Sequence, residues 1–455
     1  MKNNIIVKKL ENILEKGWLL VFLFSPLFFA TFLNGTWQVS EALFFQVLVE
    51  ILFGIYLVKI ILLNKINHKA DLRLLIPIIG FFIVLIISTI ISNYPFHSFW
   101  GDYLRKMGFL LYSHVFLFFL ILFLNLKNIK QVVRIGYATI LSTIIVSGYG
   151  ILQFFELDPL NWAESPTAIN GGRLFSTLGQ PNFLASWLLF AIPILAWLVF
   201  KKGYFDNWKP NLKKIFIRPA LVCLFFITVL VLVLSQSRGG WLGFLIAFFF
   251  FIIVFSFIVK QKRLGKLLSI LFLVLIIFVT YININPLHLS KSNEGTILYR
   301  IKSLSHLSEK GELRFMWWQD ALSLIKEKPF FGYGLETQKF NFRKSYHPKT
   351  ALLEAINSYP DRIHNDILDT LYASGFIGFF FYISLIVLGF YKGAKYIKKT
   401  KNKERKVLVL SFMAGILGYL VSIQFSFHVA PTIVYFFGFL AILIVLPNLK
   451  EEDNY

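Results

Sequence analysis

Cysteine and acidic residues are both scarce in this sequence of 455 residues. Its one cysteine, Cys223, lies within an apolar run, which argues against disulfides and cysteine-based metal sites. Asp and Glu number 24 against 46 Lys and Arg, so the formal net charge is +22. The sequence has no His-Glu-x-x-His motif, no carboxylate cluster and no glycine-rich phosphate loop with a lysine. We therefore predict that the protein uses no metal and no cofactor.

Apolar residues, in contrast, are abundant. They make up 57% of the chain, Phe alone supplies 52 positions, charged residues are only 15%, and the mean hydropathy is +0.67. Such a chain cannot hide its apolar surface in one aqueous core, so we expect it to lie in a lipid bilayer. The first apolar run, Trp18 to Leu33, lacks a small-residue cleavage site, which predicts that no signal peptide is removed.

The apolar runs predict the fold class: an all-α, polytopic membrane protein with a bundle of about twelve transmembrane helices. Each run is close to the ~20 residues that cross a bilayer. The predicted spans are 18–33, 40–62, 74–92, 108–125, 135–154, 183–200, 219–235, 241–259, 267–284, 367–391, 407–425 and 431–447.

The positive charge is unevenly distributed between the loops. With the N-terminus inside, the cytoplasmic stretches hold 30 of the 46 Lys and Arg residues, and the short outer loops hold only four. This bias is the positive-inside pattern of membrane proteins, so we predict a topology signal and no nucleic-acid partner. The chain then divides into 1–284 with nine spans, an extracytoplasmic cap loop at 285–365, and 366–455 with three spans and a cytoplasmic tail.

The large cap loop between the ninth and tenth spans is predicted to be partly helical. Residues Leu313 to Lys328 have apolar positions at helical spacing, and Pro329 ends that pattern. Gly332 and Gly334 then permit a sharp turn. At the far end of the cap, Asn365 or Asp366 is placed to cap the tenth span.

Basic residues on the outer side are informative because the positive-inside bias works against them. Arg105, Arg173 and Arg238 lie in short polar motifs beside membrane helices. A guanidinium there is placed to bind a lipid phosphate through paired hydrogen bonds, and neighbouring glycines let a phosphate approach the backbone. The alternative is that each arginine reaches the interface or pairs with a nearby acid such as Asp102.

Two residues of the cap helix are further candidates. Arg314 lies near its predicted start, where a cation does not favour the helix dipole, so helix stability does not explain it. A pair with Glu312 or Asp320 is the alternative. Trp317 could stack on a sugar face or anchor at the membrane interface.

His364 is the candidate general base with the clearest positional argument. It lies where the cap loop re-enters the membrane, and the positive end of the tenth helix would keep its imidazole neutral. The alternative is a capping or surface histidine, with His347 the next candidate base. Glu50, near the middle of the second span, is an intramembrane acid for which the sequence names no partner.

Four motifs together resemble the superfamily of O-antigen ligases and O-antigen polymerases, over roughly residues 93–380. The motifs begin at Gly172-Arg173, Ser237-Arg238, Arg314 and His364-Asn365, and their order matches that family, as does the long loop before the last of them. The resemblance implies a glycosyltransferase of the bacterial inner membrane. Such an enzyme moves a glycan from an undecaprenyl-pyrophosphate carrier to a lipid, glycan or protein acceptor on the outer face, without a metal.

Residue roles follow from the same resemblance. It implies that Arg173, Arg238 and Arg314 bind the pyrophosphate and that His364 deprotonates the acceptor hydroxyl, with inversion at the anomeric carbon. Arg105, Asn182, Asn365 and Trp317 are predicted as additional lipid or substrate contacts. The active site would then face the periplasm or cell exterior.

Several functions stay open at the level of sequence. A ligase is the first interpretation, a polysaccharide polymerase the second and a protein O-oligosaccharide ligase the third. A lipid-linked oligosaccharide flippase, from a different class, is expected to show two pseudo-repeated halves and polar residues deep in a cavity. Here the polar motifs gather at one face.

Overall fold

The structure is a computed structural model that describes residues 2–31, 36–63, 71–160, 172–201, 212–284, 309–345, 350, 352 and 359–449. Within these residues the regular structure is entirely helical, which confirms the predicted all-α class. The predicted cap loop 285–365 is therefore described in part only. His347 lies outside the described residues.

Fifteen α-helices occur in the described part of the chain, joined by short 3₁₀ turns. They are α1 Lys2–Phe24, α2 Gln38–Leu63, α3 Ile76–Ile90, α4 Pro95–Trp100, α5 Phe109–Asn125, α6 Ile129–Phe154, α7 Pro181–Phe200, α8 Leu212–Leu234, α9 Arg238–Ile258, α10 Lys262–Ile284, α11 Glu309–Glu327, α12 Gln338–Asn341, α13 Asp366–Lys399, α14 Lys403–Ser422 and α15 Ala430–Val445.

Nine helices of the described residues are long and apolar enough to cross a membrane, so the protein is a polytopic membrane protein. These helices are α2, α3, α6, α7, α8, α9, α13, α14 and α15, of which α3, α14 and α15 are extended by an adjoining 3₁₀ turn. The other three predicted spans fall on α1, α5 and α10, and twelve crossings stay a prediction. The first span differs from its predicted bounds of 18–33, because α1 ends at Phe24 just before Pro26.

Helix ends follow the local sequence. Asn365 caps α13, since its side-chain oxygen accepts a hydrogen bond from the backbone N–H of Leu368 at 3.1 Å. Ser237 caps α9 in the same way through the N–H of Gly240. Pro181 stands in the first turn of α7, where its missing N–H costs nothing.

The centre of the bundle is built from α7, α14 and α15, whose side chains are mostly buried. Helix α14 packs against α7 and α9, and α13 packs against α3 and α15. Two close helix contacts depend on glycine. A Cβ at Gly243 would come within 2.4 Å of the Gly418 carbonyl oxygen, and one at Gly240 within 2.5 Å of the Ala185 Cβ.

Helix α13 is interrupted at Gly375, which has a left-handed backbone (φ +63°). The segment 329–334, which follows α11, pairs with the interrupted stretch through the backbone. The N–H groups of Tyr333 and Gly334 donate to the carbonyls of Tyr372 and Ala373, and that of Phe376 donates to Pro329 at 2.7 Å. The cap is thereby attached directly to the start of α13.

Helix α11 confirms the amphipathic helix predicted at Leu313 to Lys328, but it begins earlier, at Glu309. Arg314 is therefore in its second turn rather than at its start. The buried face includes Leu313, Trp317 and Ala321, whereas Leu322, an apolar residue of the same helix, is exposed. The helix ends at Glu327, one residue before the predicted end at Lys328, because the residue before Pro329 disfavours a helical conformation.

Candidate functional site

His364 lies in the short segment between the cap and α13, in a left-handed backbone conformation (φ +55°) that non-glycine residues rarely adopt. The neighbours on both sides fix this segment. Asn365 caps α13, and the carbonyl of Ile363 accepts a hydrogen bond from the indole of Trp318 at 3.0 Å. The imidazole is partly buried between Trp317, with ring centroids 6.2 Å apart, and Phe427, at 5.2 Å.

The electrostatic surroundings of His364 favour its neutral form. Burial lowers the pKa of the imidazole, and the positive charges of Arg314, Arg105 and Arg362 lower it further, to about 3. The sequence predicted a neutral ring from the helix N-terminus, whereas here the cause is burial together with three arginines. Among the described residues, neither ring nitrogen forms a hydrogen bond with a protein group. The imidazole is therefore neutral and its lone pair is available to a proton, but a pKa this low makes it a weak base until bound negative charge offsets the arginines.

Arg105 and Arg362 flank the same aromatic ring. The guanidinium carbon of Arg105 lies 5.1 Å from the centroid of Phe427, and that of Arg362 lies 5.3 Å from it. Arg105 forms an ion pair with Asp361, and Arg362 forms one with the buried Glu336. The sequence predicted Arg105 to pair with a nearby acid such as Asp102 if it bound no lipid, but its ion-pair partner is the cap residue Asp361.

The loop that carries Arg105 is tied to the cap by further charges. The carboxylate of Asp102 accepts a hydrogen bond from the Lys339 ammonium at 2.5 Å, and the backbone N–H of Asp102 donates to Glu336 at 3.3 Å. Glu336, like His364, has a left-handed backbone (φ +60°). Strained residues of this kind persist only where the surroundings fix them, and they cluster at functional sites.

Arg173, Asn182 and Arg238 form a second group, where the ends of α7, α8 and α9 meet. The guanidinium of Arg173 donates to the Ser235 carbonyl and to the Asn182 side-chain oxygen, both at 3.1 Å. Arg238 is the first residue of α9, three positions after Ser235. Gly239 and Gly240, predicted to let a phosphate approach the backbone, are buried against neighbouring helices.

The segment between α14 and α15, residues 423–429, touches both groups. Its Phe427 contacts His364 on one side and Phe183 of α7 on the other, at 5.4 Å between ring centroids. The Asn365 amide reaches the carbonyl of Gln424 at 3.5 Å. The predicted site residues of both groups thus gather at one end of the bundle, around a loop that the sequence did not single out.

Below His364, a buried polar network joins α13 to α14 and α15. Asp366 lies 3.0 Å from the Nε2 atom of His428 and accepts a hydrogen bond from the Tyr382 hydroxyl at 2.8 Å. The other ring nitrogen of His428 lies 2.6 Å from the Tyr419 hydroxyl. Asp369 accepts hydrogen bonds from the Gln338 amide and the Ile363 N–H, which fixes the backbone next to His364.

Sequence reasoning named Asp366 only as a possible helix cap, and it missed Glu336, Arg362, Asp369 and Phe427. The two aspartates and Arg362 lie in a dense polar run around His364, and the spacing of Asp366 and Asp369 puts them on one helix face. That run was a signal available in the sequence. Glu336 and Phe427 had none, because each meets the site only through tertiary contacts.

Glu50 lies away from this site, and the structure supplies the partner that the sequence could not name. Its carboxylate is 3.1 Å from the Nε2 atom of His114 on α5. Among the described residues, no group of three or more His, Cys, Asp or Glu side chains is arranged to hold a metal ion.

Comparisons with known proteins point to one family. Residues 223–383 match the family model described as O-antigen ligase. The matched segment contains Arg238, Arg314 and His364, while Arg105 and Arg173 precede it.

Two bacterial proteins are similar to this chain at low sequence identity. A protein of Haemophilus influenzae described as uncharacterized is 24% identical over 214 residues, which is 46% of this chain and 53% of that protein. The ComP-specific O-oligosaccharyltransferase of Acinetobacter baylyi is 26% identical over 296 residues, 62% of this chain and 46% of that protein. The chain spans about half the length of the curated relatives it matches.

Proposed function

Because residues 223–383 match the family model described as O-antigen ligase, we propose that this protein is a membrane glycosyltransferase acting at the outer face of the bacterial inner membrane. It moves a glycan from an undecaprenyl-pyrophosphate carrier to an acceptor hydroxyl. The observation that carries the proposal is the meeting of a neutral, partly buried His364 with several arginines at one end of a helical bundle.

The reaction is a single displacement. His364 takes the proton of the acceptor hydroxyl as its oxygen attacks the anomeric carbon, which then inverts. The bond between that carbon and the phosphate oxygen breaks, and its electron pair stays on the undecaprenyl pyrophosphate. Arg173, Arg238 and Arg314 stabilise the negative charge that develops there. Fixed guanidinium groups do the work that a metal ion does in other phosphate-binding sites.

An apolar cavity supports a lipid-linked donor. It measures about 310 Å³ and lies between α7, α8 and α9, lined by side chains that include Leu189, Phe225 and Phe244. Phe244 is six residues along α9 from Arg238, or about 9 Å at the helical rise of 1.5 Å per residue. A polyprenyl chain held at its pyrophosphate by Arg238 would thus meet apolar surface directly below.

The acceptor class has two supported candidates. The match of residues 223–383 to the O-antigen ligase model favours a ligase that acts on a lipid or glycan acceptor. The similarity to an oligosaccharyltransferase whose name specifies ComP favours a protein acceptor instead.

A strain that lacks the gene for this protein distinguishes these two functions from a polymerase. Lost attachment of glycan with intact carrier-linked polymer indicates a ligase, and single repeat units indicate a polymerase. An unglycosylated protein with intact surface glycan indicates transfer to protein.

The reaction itself is testable with purified protein in lipid. We expect transfer of glycan from an undecaprenyl-pyrophosphate donor to proceed in excess chelator, because the described residues offer no metal ligand set. The measurement is product formation with and without chelator. Loss of activity in chelator, restored by magnesium or manganese, would show that carboxylates of this protein bind a catalytic metal ion. The absence of transfer under every condition would argue against the proposed function.

Topology provides a second test. The bias of basic residues places the cap and Arg105, Arg173 and Arg238 outside. In a variant without Cys223, a cysteine at the exposed position Arg343 should react with an impermeant maleimide in intact spheroplasts. A cysteine at Lys401, between α13 and α14, is the matched control and should react only after permeabilisation. The reverse pattern would contradict the proposed orientation.

A further inference from the structure

Phe427 is the side chain that the groups around His364 share. It lies in the loop 423–429 and is only 6% exposed. The ring is bordered by the imidazole of His364 at 5.2 Å, the guanidinium carbons of Arg105 at 5.1 Å and Arg362 at 5.3 Å, and the ring of Phe183 at 5.4 Å. Two cations, a candidate base and a second aromatic ring therefore meet at one aromatic side chain.

The ring of Phe427 offsets the electrostatic repulsion between Arg105 and Arg362. Arg105 and Arg362 are close enough to repel each other, since burial and the positive charge of Arg362 both contribute to lowering the pKa of Arg105. Each guanidinium has a carboxylate partner, Asp361 or Glu336, and each also contacts the π face of Phe427. Cation–π attraction amounts to about 0.5–2 kcal/mol and grows when water is excluded.

The same ring also covers one side of His364. Trp317 of α11 contacts the imidazole from the cap, and Phe427 contacts it from the bundle. The charged groups whose potential reaches the imidazole are Arg314 from α11, Arg105 from the loop after α4 and Arg362 from its own segment. Burial by the two aromatic rings keeps the imidazole away from bulk water.

We propose that Phe427 is the positioning residue of this site, holding His364 and the two flanking arginines in one fixed arrangement and keeping water from the imidazole. The proposal rests on the proposed role of His364 as the base. Phe427 itself takes no proton and binds no phosphate.

The position of Phe427 also connects the base to the donor side of the site. Phe183, against which it packs, follows Asn182, and the Asn182 side chain accepts a hydrogen bond from Arg173. On the other side, the carbonyl of Gln424 in the same loop is 3.5 Å from the Asn365 amide. A shift of this loop would therefore alter the distance between the pyrophosphate-binding arginines and His364.

The test compares Phe427→Leu and Phe427→Tyr with Phe123→Leu, a control whose buried ring stacks on Phe119 near the end of α5 that is farther from the Arg105 loop. Leucine removes the π face and uncovers His364, so turnover should fall about 10- to 100-fold. The acid limb of the pH–rate profile should move upward toward the ordinary imidazole value. Phe427→Tyr keeps the ring and should retain most of the activity, and the control should match the wild type in both readouts.

A second readout does not depend on glycan transfer. Diethyl pyrocarbonate modifies neutral imidazoles, and mass spectrometry of the peptide measures its rate at His364 as a function of pH. We expect faster modification and an upward shift of its pH midpoint in Phe427→Leu, or in Phe427→Met if the leucine variant does not accumulate. An unchanged rate and midpoint would overturn the proposal, even if glycan transfer is normal. Failure of the wild-type protein to transfer glycan would instead reject the proposed function while the modification rates still decide the role of Phe427.

Discussion

Replacing His364 with alanine is expected to lower turnover about 10²–10⁴-fold, the range that a positioned general base contributes, while donor binding persists. The imidazole is the side chain whose pKa is held low by burial and by Arg314, Arg105 and Arg362, and its nitrogens form no hydrogen bond with the described residues. Donor binding should survive because, in the proposed mechanism, the arginines and not the imidazole bind the pyrophosphate.

The pH dependence sharpens this prediction. Since the pKa of His364 in the free protein is lowered to about 3, the imidazole stays neutral far below pH 6.5. The acid limb of kcat/KM should therefore lie well below that of an ordinary histidine. A bound pyrophosphate offsets the positive charge of the arginines and raises the pKa of the imidazole. The acid limb of kcat should thus lie at higher pH than that of kcat/KM.

The measurement is His364→Ala turnover beside donor binding and membrane abundance. His114→Ala is the control, because His114 on α5 pairs with Glu50 at 3.1 Å, away from the site. Turnover of His364→Ala within a few-fold of the wild type would make His364 a structural residue and would leave His347 as the next candidate base.

Lysine at position 173, 238 or 314 is expected to reduce glycan transfer about 10- to 100-fold, although the positive charge is kept. An arginine binds phosphate through two parallel hydrogen bonds, and an ammonium cannot reproduce that planar geometry. A hydrogen bond to a charged group contributes about 1.5–3 kcal/mol, which corresponds to this range of rates.

Arg173 has a structural role as well. Its guanidinium joins Ser235 to Asn182, so Arg173→Lys should lower thermal stability as well as activity. Arg238→Lys and Arg314→Lys should weaken donor binding. Arg73→Lys, at an exposed position beside Asp71, is the control and should behave as the wild type. Full activity in all three site variants, at matched membrane abundance, would leave these arginines with structural roles only.

The sequence predicted the helices well because hydropathy is a local property. Every predicted span overlaps a helix of the structure, and the cap helix α11 includes the residues whose apolar spacing predicted it. The errors concern features that depend on backbone contacts between distant segments. The interruption of α13 at Gly375 could not be predicted, since its cause is the pairing of 372–377 with 329–334.

The site was predictable to the extent that its residues stand in polar motifs at helix ends. His364 and the arginines at positions 105 and 314 could be identified in this way, and the structure places them near one another. Asp361 and Glu336 could not, because an ion pair between residues 105 and 361 leaves no trace in either local sequence. Asn182 was identified as a substrate contact, while the structure shows it accepting a hydrogen bond from Arg173.

The interruption of α13 also has a mechanical consequence. The backbone hydrogen bonds between 329–334 and 372–377 would all have to break before this part of the cap could swing away from the membrane helices. Each such bond contributes about 0.5–1.5 kcal/mol net, so such a hinge movement is costly. Segment 329–334 is therefore expected to stay attached to α13 during the reaction. Discrimination among acceptors would then depend on a site that is already formed, not on closure of this segment around them.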